Sequence, residues 1–182
     1  LSEWRPLAEE GHPSAQFNLG LTYANGLGVV QDVETAVKWY TLAAEQGHAS
    51  AQLNLGLLYD GGQDYKTAIK WYTLAAEQGN AKAQLNLGSM YGQGYGVPQD
   101  DKSTVKWWML AAEQGVPRAQ YNLGNYYSVG KGVTQNDKTA IKWYTLAAEQ
   151  GHISAQYSLG LMYAQGQGVP QDDKTAVKWY IL

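Results

Sequence analysis

KWYTLAAEQG at residues 38–47 recurs unchanged at residues 70–79 and 142–151, and residues 106–115 read KWWMLAAEQG. A second string lies upstream of each copy, and its first version is AQFNLGLTYANG. Its five versions begin at Ala15, Ala51, Ala83, Ala119 and Ala155. Strings that recur at a regular interval along a chain indicate a repeat protein, in which every unit is the same supersecondary element.

The two strings divide the chain into five predicted units within a single array, residues 1–182. Residues 1–11 correspond to the end of a preceding unit, and the last unit stops before its LAAEQG-like end. Three complete units have 36 residues, whereas the second has 32 and should keep both helices with a tighter turn between them. The predicted units are 12–47, 48–79, 80–115, 116–151 and 152–182, the last one truncated.

Each unit is predicted to contain two helices. In the first helix, Ala15, Leu19 and Tyr23 recur at helical spacing and form one apolar stripe. A glycine-rich connector leads to Asp32, whose side chain suits the N-cap of the second helix, and that helix closes at Gly47. The equivalent caps are Asp64, Asp100, Asn136 and Asp172. The predicted fold class is therefore all-α, with helix pairs that bury too little alone and stack on their neighbours.

A glycine lies in the middle of every predicted first helix. Such a residue destabilises a helix by about 1 kcal/mol relative to alanine. Five glycines at one register therefore predict a gain in packing, with the second helix crossing there and its Trp or Tyr ring lying against bare backbone. The glycines are Gly20, Gly56, Gly88, Gly124 and Gly160.

Composition excludes several classes of protein. A hydrophobic fraction of 45% and a charged fraction of 16% are typical of a folded chain, and a net charge of −3 gives no basic excess for nucleic acid. No apolar stretch approaches the roughly 18 residues of a membrane span. The absence of cysteine excludes disulfides, and nothing in the sequence predicts a cofactor or decides the compartment.

The recurrent pattern A…LG…Y…G.GV..D…A…WY..AA..G resembles that of the Sel1-like repeat family, a relative of the tetratricopeptide repeats. The resemblance covers nearly the whole chain. It implies a right-handed α-α superhelical solenoid whose first helices line a concave face, used as an adaptor or scaffold for proteins and peptides. The chain departs from the cysteine-rich bacterial members, which pair cysteines within each repeat, and its 32-residue unit is shorter than usual.

Two strings that could indicate catalysis are better explained by the repeat. Ser103-Thr104-Val105-Lys106 matches the S-x-x-K string of penicillin-recognising serine enzymes. The equivalent positions in the other units read TAVK or TAIK, and no K-T-G accompanies the string, so we predict no enzyme here. The G-x-G strings of the connectors follow helices, whereas a phosphate-binding loop follows a strand, so they are interpreted as turn glycines.

Three further sets of residues contain groups that could bind a ligand. His12, His48 and His152 are spread along the array at one register and are interpreted as surface turn residues, since zinc needs about four ligands at one point. Pairs such as Trp39 and Tyr40 are interpreted as core. A double row of lysines on the second helices is interpreted as a solvated face, with an acidic partner as the alternative. These lysines are Lys66, Lys70, Lys102, Lys106, Lys138, Lys142, Lys174 and Lys178.

The candidate ligand site lies on the first helices, opposite the apolar stripe. One column of equivalent positions is Phe17, Leu53, Leu85, Tyr121 and Tyr157, and the alternative is that this column is partly buried between adjacent first helices. A second group predicts a basic, amide-lined pocket for a carboxylate; the alternative is that its two cations only increase solubility. This group comprises Lys82, Arg118, Asn86, Asn122 and Asn125, with Leu85 and Tyr121 beside them.

The favoured function is a non-catalytic scaffold that binds another protein or a peptide on this face. A glycan-binding module on the same face is the alternative, because aromatic and amide side chains also stack on and hydrogen-bond sugars. Since the array begins and stops within a unit, apolar ends and some head-to-tail self-association are expected as well.

Overall fold

The computed structural model describes residues 4–181. All secondary-structure elements in this range are α-helices and none is a strand, which confirms the predicted all-α fold class. All but the first and last helices have 13 residues. No helix in this described range is long and apolar enough to cross a membrane. The helices are α1 (Trp4–Glu9), α2 (Pro13–Asn25), α3 (Val33–Glu45), α4 (Ala49–Gly61), α5 (Tyr65–Glu77), α6 (Ala81–Gln93), α7 (Asp101–Glu113), α8 (Pro117–Val129), α9 (Asp137–Glu149), α10 (Ile153–Gln165) and α11 (Asp173–Tyr180).

The chain forms two compact units, Leu1–Ala83 and Gln84–Leu182. In the first unit, α2 packs on α3, α3 on α4 and α4 on α5. In the second unit, the same succession runs from α7 to α11. Each unit is therefore a series of helices in which every member contacts the next one along the chain.

Hydrogen bonds at both ends of a helix pair show that its two helices are antiparallel. At one end, Gln46 at the close of α3 donates its side-chain amide to the Gln16 side chain at the start of α2, at 2.8 Å. At the other end, the Asp32 N–H before α3 donates to the Tyr23 carbonyl near the end of α2, at 3.0 Å. The start of one helix thus lies beside the end of the other, as the repeat pattern predicts.

The predicted N-caps are confirmed. The Asp32 carboxylate accepts hydrogen bonds from the Thr35 hydroxyl at 2.6 Å and from the Thr35 N–H at 3.1 Å. These bonds are stronger to the ionised carboxylate than to the protonated acid, so they hold the pKa of Asp32 below its ordinary value. The same cause, a side-chain hydroxyl and the first-turn N–H groups, lowers the pKa of Asp100 and Asp172. Side chains at the same position begin the other second helices, namely Asp64, Asp100, Asn136 and Asp172.

The mid-helix glycines pack against aromatic rings, as predicted. A Cβ atom on Gly20 would lie 2.5 Å from Cδ1 of Tyr40, and one on Gly124 would lie 2.5 Å from Cδ1 of Tyr144. Real Cβ atoms do not approach other atoms so closely, so a side chain at this register would displace the ring or the helix. The same contact joins Gly56 to Tyr72, Gly88 to Trp108 and Gly160 to Tyr180.

A buried glutamine ties three helices together in each of several repeats, a feature that the sequence interpretation missed. Gln120, which is 4% exposed, donates its amide to the Ala112 carbonyl at the end of α7 at 3.1 Å. Its oxygen accepts from Gln150 at the end of α9, at 2.8 Å. Gln16 and Gln52 bridge their neighbours in the same way. The sequence does contain a pattern that could have predicted this bridge. A glutamine recurs in the AQ string at the start of the first helices and in the EQG string at the end of the second helices.

Candidate binding site on the first helices

The first-helix surface is defined here, for each unit separately, as the exposed side of its first helices. These are α2, α4 and the start of α6 in the first unit, and the rest of α6, α8 and α10 in the second. Its predicted apolar column is not uniform. Leu53 is 8% exposed and Leu85 is 9% exposed, so at these two positions the side chain packs inside the fold and offers little surface to a ligand. Tyr157, in contrast, is 59% exposed.

Phe17 and Tyr121, two half-buried members of this column, each stack on a histidine of the following repeat. The ring centroids of Phe17 and His48 are 4.6 Å apart, and those of Tyr121 and His152 are 4.7 Å apart. Both histidines also cap a helix, because each Nδ1 accepts the N–H of the residue three positions on at 3.3 Å. Burial lowers the pKa of His48, which favours the neutral ring that this cap needs.

The interpretation of the histidines as surface turn residues is therefore incomplete for His48 and His152, which are half-buried caps. A signal for this pairing exists in the sequence. Where the column holds Leu53 instead of an aromatic residue, the next cap is Asn80, whose oxygen accepts the Ala83 N–H at 3.0 Å.

The residues of the predicted basic pocket lie on α6 and α8 and differ in exposure. Lys82 and Arg118 are exposed, and each lies in the first turn of its helix, α6 and α8. Lys82 belongs to the first compact unit and Arg118 to the second, so a joint site stays a prediction. Asn86, Asn122 and Asn125 are half-buried. Of the three, Asn125 has a defined partner, since its Oδ1 accepts a hydrogen bond from the Tyr144 hydroxyl at 2.7 Å.

Each unit contains a small cavity built from equivalent positions of its repeats. The cavity of the first unit, about 210 Å³, lies between α2 and α4 with Tyr40 of α3 at its floor. The cavity of the second unit, about 160 Å³, lies between α8 and α10 with Tyr144 of α9 at its floor. Five positions line both cavities: Ala24, Tyr40, Asn54, Leu57 and Leu58 in the first unit, and Ser128, Tyr144, Ser158, Leu161 and Met162 in the second.

Both tyrosines at the cavity floors keep their protons in the ordinary pH range. Burial raises the pKa of Tyr144, against the opposing effect of the Ser128 and Ser158 hydroxyls. Burial likewise raises the pKa of Tyr40, against the effect of the Asn54 side chain. Each cavity therefore presents a neutral phenol, which can both donate and accept a hydrogen bond.

The string at Ser103 serves to cap a helix. The Ser103 hydroxyl donates to the Asp100 carboxylate at 2.6 Å, as the Thr35 hydroxyl does to Asp32 in the first repeat. The ammonium group of Lys106 lies 5.1 Å from the ring centroid of Trp107. Serine and lysine are thus each engaged in a structural contact that the other repeats also make.

The lysine row is partly packed on indole rings. Besides Lys106, the ammonium group of Lys70 lies 5.1 Å from the centroid of Trp71, and that of Lys142 lies 5.6 Å from the centroid of Trp143. Such cation–π contacts stabilise a side chain on an exposed face by about 0.5–1 kcal/mol. Trp71, Trp143 and both floor tyrosines are buried, which agrees with the interpretation of the aromatic pairs as core. Trp39, in contrast, is only half-buried, so the interpretation holds for part of the pairs.

The connector glycines form turns, as interpreted from the sequence. Gly130 and Gly132 both have positive φ, at 74° and 68°. A Cβ on Gly132 would also lie 2.5 Å from the Asp101 carbonyl oxygen, so this loop packs directly on the start of α7. Next to it, Lys131 forms an ion pair with Asp101 at 3.3 Å. Within residues 4–181, no group of three or more His, Asp or Glu side chains is placed to hold a metal ion.

Comparison with known proteins gives a clear family match. The Sel1 repeat model matches residues 13–48, 49–80, 81–116, 117–152 and 153–182. None of the curated proteins matches this chain significantly.

Solved structures extend the match. A protective antigen of uropathogenic Escherichia coli that displays an SLR fold is 42% identical, with a TM-score of 0.97, over 99% of this chain and 39% of that one. This chain therefore spans well under half the length of that antigen. A Sel1 repeat protein from Oxalobacter formigenes is 40% identical, with a TM-score of 0.91, over 94% of this chain and 72% of that chain. Cysteine-rich protein B of Helicobacter pylori, 24% identical with a TM-score of 0.57 over 70% of this chain and 96% of its own, shares the fold alone.

Proposed function

Because the chain belongs to the Sel1 repeat family, whose members are typically non-catalytic scaffolds for protein interactions, we propose that it binds another protein or a peptide on its first-helix surface. The proposal includes the absence of catalysis. It is supported by the structural contacts of Ser103 and Lys106, which occupy the hydroxyl and the ammonium group of the one string that resembles an enzyme motif.

One observation carries the proposal. Four positions of the first helices are buried and hold the same residue in every repeat, namely Ala, Gln, Leu and Gly at the registers of Ala15, Gln16, Leu19 and Gly20. The partly exposed positions of the same helices change from repeat to repeat. At the register of Leu21, for example, the second unit has Ser89, Asn125 and Leu161. A repeat scaffold needs constant buried residues to keep its repeats packed in the same way. It needs varied surface residues to recognise a particular partner.

Within this surface we place the main contact at Lys82, Arg118, Asn86, Asn122, Asn125 and Tyr121, with Phe17 and Tyr157 as further contacts on the same column. A peptide carboxylate there would accept charge-assisted hydrogen bonds, each contributing about 1.5–3 kcal/mol. The exposed lysine and arginine would attract the anion, and the amides would bind the peptide backbone.

Reversing both charges, Lys82→Glu with Arg118→Glu, is expected to weaken binding at least tenfold, or about 1.4 kcal/mol. Peptides with free C-termini would be selected from a displayed library on the immobilised chain, and their affinities measured at low and high salt. The wild type should lose affinity with salt, and the variant should show little salt dependence.

The matched control is Lys66→Glu with Lys138→Glu, which reverses two exposed lysines on second helices. It should leave peptide affinity unchanged. Selection of no peptide, together with binding of the chain to a glycan array, would replace the proposal by the glycan-binding alternative. Equal loss of affinity in both double variants would move the site away from Lys82 and Arg118.

We further propose that the chain associates head to tail with a second copy. The side of α10 and α11 exposes apolar residues, among them Ile153, Tyr157 and Val177. Tyr157 is equivalent to Tyr121, whose ring is covered by a histidine cap in the following repeat.

Sedimentation velocity over a range of concentrations is expected to show self-association that Tyr157→Glu reduces. Placing a charge in an apolar contact disfavours the complex because the carboxylate would be desolvated. Leu27→Glu, which changes an exposed leucine of the first connector, is the control and should sediment like the wild type. A strict monomer at high concentration would contradict the proposal.

A further inference from the structure

The two cavities floored by Tyr40 and Tyr144 repeat one geometry, one cavity in each of the two compact units. From this we infer that each is a subsite for a single uncharged amide side chain, Gln or Asn, of a bound peptide. The inference rests on the proposed peptide-binding function and names the residue type that the peptide would carry.

The size of the cavities fits a side chain rather than a whole ligand. Their volumes, about 210 and 160 Å³, are below the roughly 300 Å³ at which small-molecule pockets begin. Asn25 and Leu57 at the rim of the first cavity are exposed, whereas Tyr40 is buried, so the cavity opens at the first-helix surface and ends at the phenol. A side chain that enters would pass Leu57 and Leu58 and reach the Tyr40 hydroxyl with its tip.

The chemistry of the lining favours a neutral tip with both a donor and an acceptor. Among the described residues, the side chains that line the two cavities carry no formal charge. A carboxylate or an ammonium group would lose its water there without gaining a counter-ion, which is unfavourable. The lining offers donors and acceptors together, from the phenols, the Asn54 amide and the Ser158 hydroxyl, and an amide matches both kinds.

The polar atoms of the lining are oriented by bonds within the protein. Asn25 donates its amide to the Leu21 carbonyl at 2.9 Å, which leaves its own oxygen as an acceptor at the rim. The Tyr144 hydroxyl donates to Asn125 at 2.7 Å, and the Ser128 and Ser158 hydroxyls interact with its oxygen, so a ligand donor would share this oxygen with the two serines. A ligand amide would thus donate to oxygens that are already fixed in place.

The second and third repeats lack the neutral phenol environment that the two cavities share. In the third repeat Trp108 takes the place of the tyrosine, and its indole N–H donates to the Leu85 carbonyl at 3.1 Å, so no hydroxyl is present. In the second repeat the Tyr72 hydroxyl donates to the carboxylate of Asp60, which stands where Ala24 and Ser128 stand in the two cavities. A neutral amide subsite is therefore assigned to the cavities of Tyr40 and Tyr144.

The test uses blocked single amino acids as probes of the full chain. N-acetyl glutamine methylamide would be titrated into the 15N-labelled protein, and the equivalent glutamate, lysine and leucine compounds would be titrated separately. The glutamine probe is expected to shift the side-chain amide signals of Asn25, Asn54 and Gln165, and to bind at least tenfold more tightly than the other three. Gln165 lines the second cavity, so each cavity has its own reporter.

Single variants distinguish binding of the probe in one cavity from binding in the other. Tyr40→Phe should abolish the shifts at Asn25 and Asn54 while Gln165 still responds, and Tyr144→Phe should do the reverse. Tyr23→Phe is the control, because its hydroxyl accepts from Arg5 at 2.7 Å and does not line either cavity. Equal binding of glutamine and leucine probes, preference for a charged probe, or no response at these amides would each overturn the inference.

The outcomes also distinguish this inference from the proposed function. If peptides from the displayed library bind but the glutamine probe does not, the scaffold function stands and the assignment of the cavities is wrong. If the probe binds as described and no peptide or protein does, the cavities are amide sites and the peptide-binding function is wrong.

Discussion

Replacing Gly88 with leucine is expected to lower the free energy of unfolding by about 3 kcal/mol or more, although leucine is the better helix former. A Cβ at this position would lie 2.5 Å from Cδ1 and 2.8 Å from Nε1 of Trp108. It would also lie 3.2 Å from the Thr104 carbonyl oxygen, which is backbone and cannot rotate away. The indole is held by its own hydrogen bond to the Leu85 carbonyl, so the ring cannot move without breaking that bond.

Urea unfolding followed by circular dichroism would measure the change. Gly61→Leu is the matched control, since Gly61 ends α4, is exposed, and has no atom within 4 Å of an added Cβ. It should be as stable as the wild type or slightly more stable. A Gly88→Leu variant that unfolds at or above the wild-type midpoint would disprove the explanation given for the glycine register.

These contacts show why the fold could be predicted from the sequence. Helix starts and ends are decided by neighbouring residues, as with the Asp32 carboxylate and the Thr35 N–H, so local patterns are sufficient to place them. The glycine register is also readable, because an unfavourable residue repeated at one position indicates a close helix crossing. The repeat then extends a correct prediction for one helix pair to the others.

The candidate site was less predictable because its geometry depends on contacts between repeats. Tyr144 was assigned to the core from its helical register, which is correct for its ring, but its hydroxyl reaches Asn125 and the cavity between α8 and α10. Periodicity assigns a residue to a face of its own helix and does not tell how far a long side chain extends past the neighbouring helix. The stacking of Tyr121 on His152 was missed for the same reason.

Replacing Gln120 with glutamate should destabilise the protein by about 3 kcal/mol or more at neutral pH, although the two side chains have nearly the same shape. The glutamine donates to the Ala112 carbonyl at 3.1 Å and accepts from Gln150 at 2.8 Å. A carboxylate keeps the acceptor but loses the donor, and it places a negative charge against a carbonyl oxygen at a buried site. The change therefore breaks the link between the ends of α7 and α9.

The pH dependence of this variant identifies the cause. Burial and the facing carbonyl should raise the pKa of the introduced carboxyl above its unfolded value of about 4.3. The folded state then binds the proton more tightly than the unfolded state, so the deficit relative to the wild type is largest above the folded pKa. It shrinks as the pH falls through that pKa, because the protonated acid can donate to Ala112 as the glutamine does.

Gln93→Glu, at an exposed position at the end of α6, is the control and should follow the wild type at every pH. A deficit for the Gln120 variant that stayed constant with pH would show that the loss comes from packing and not from the buried charge.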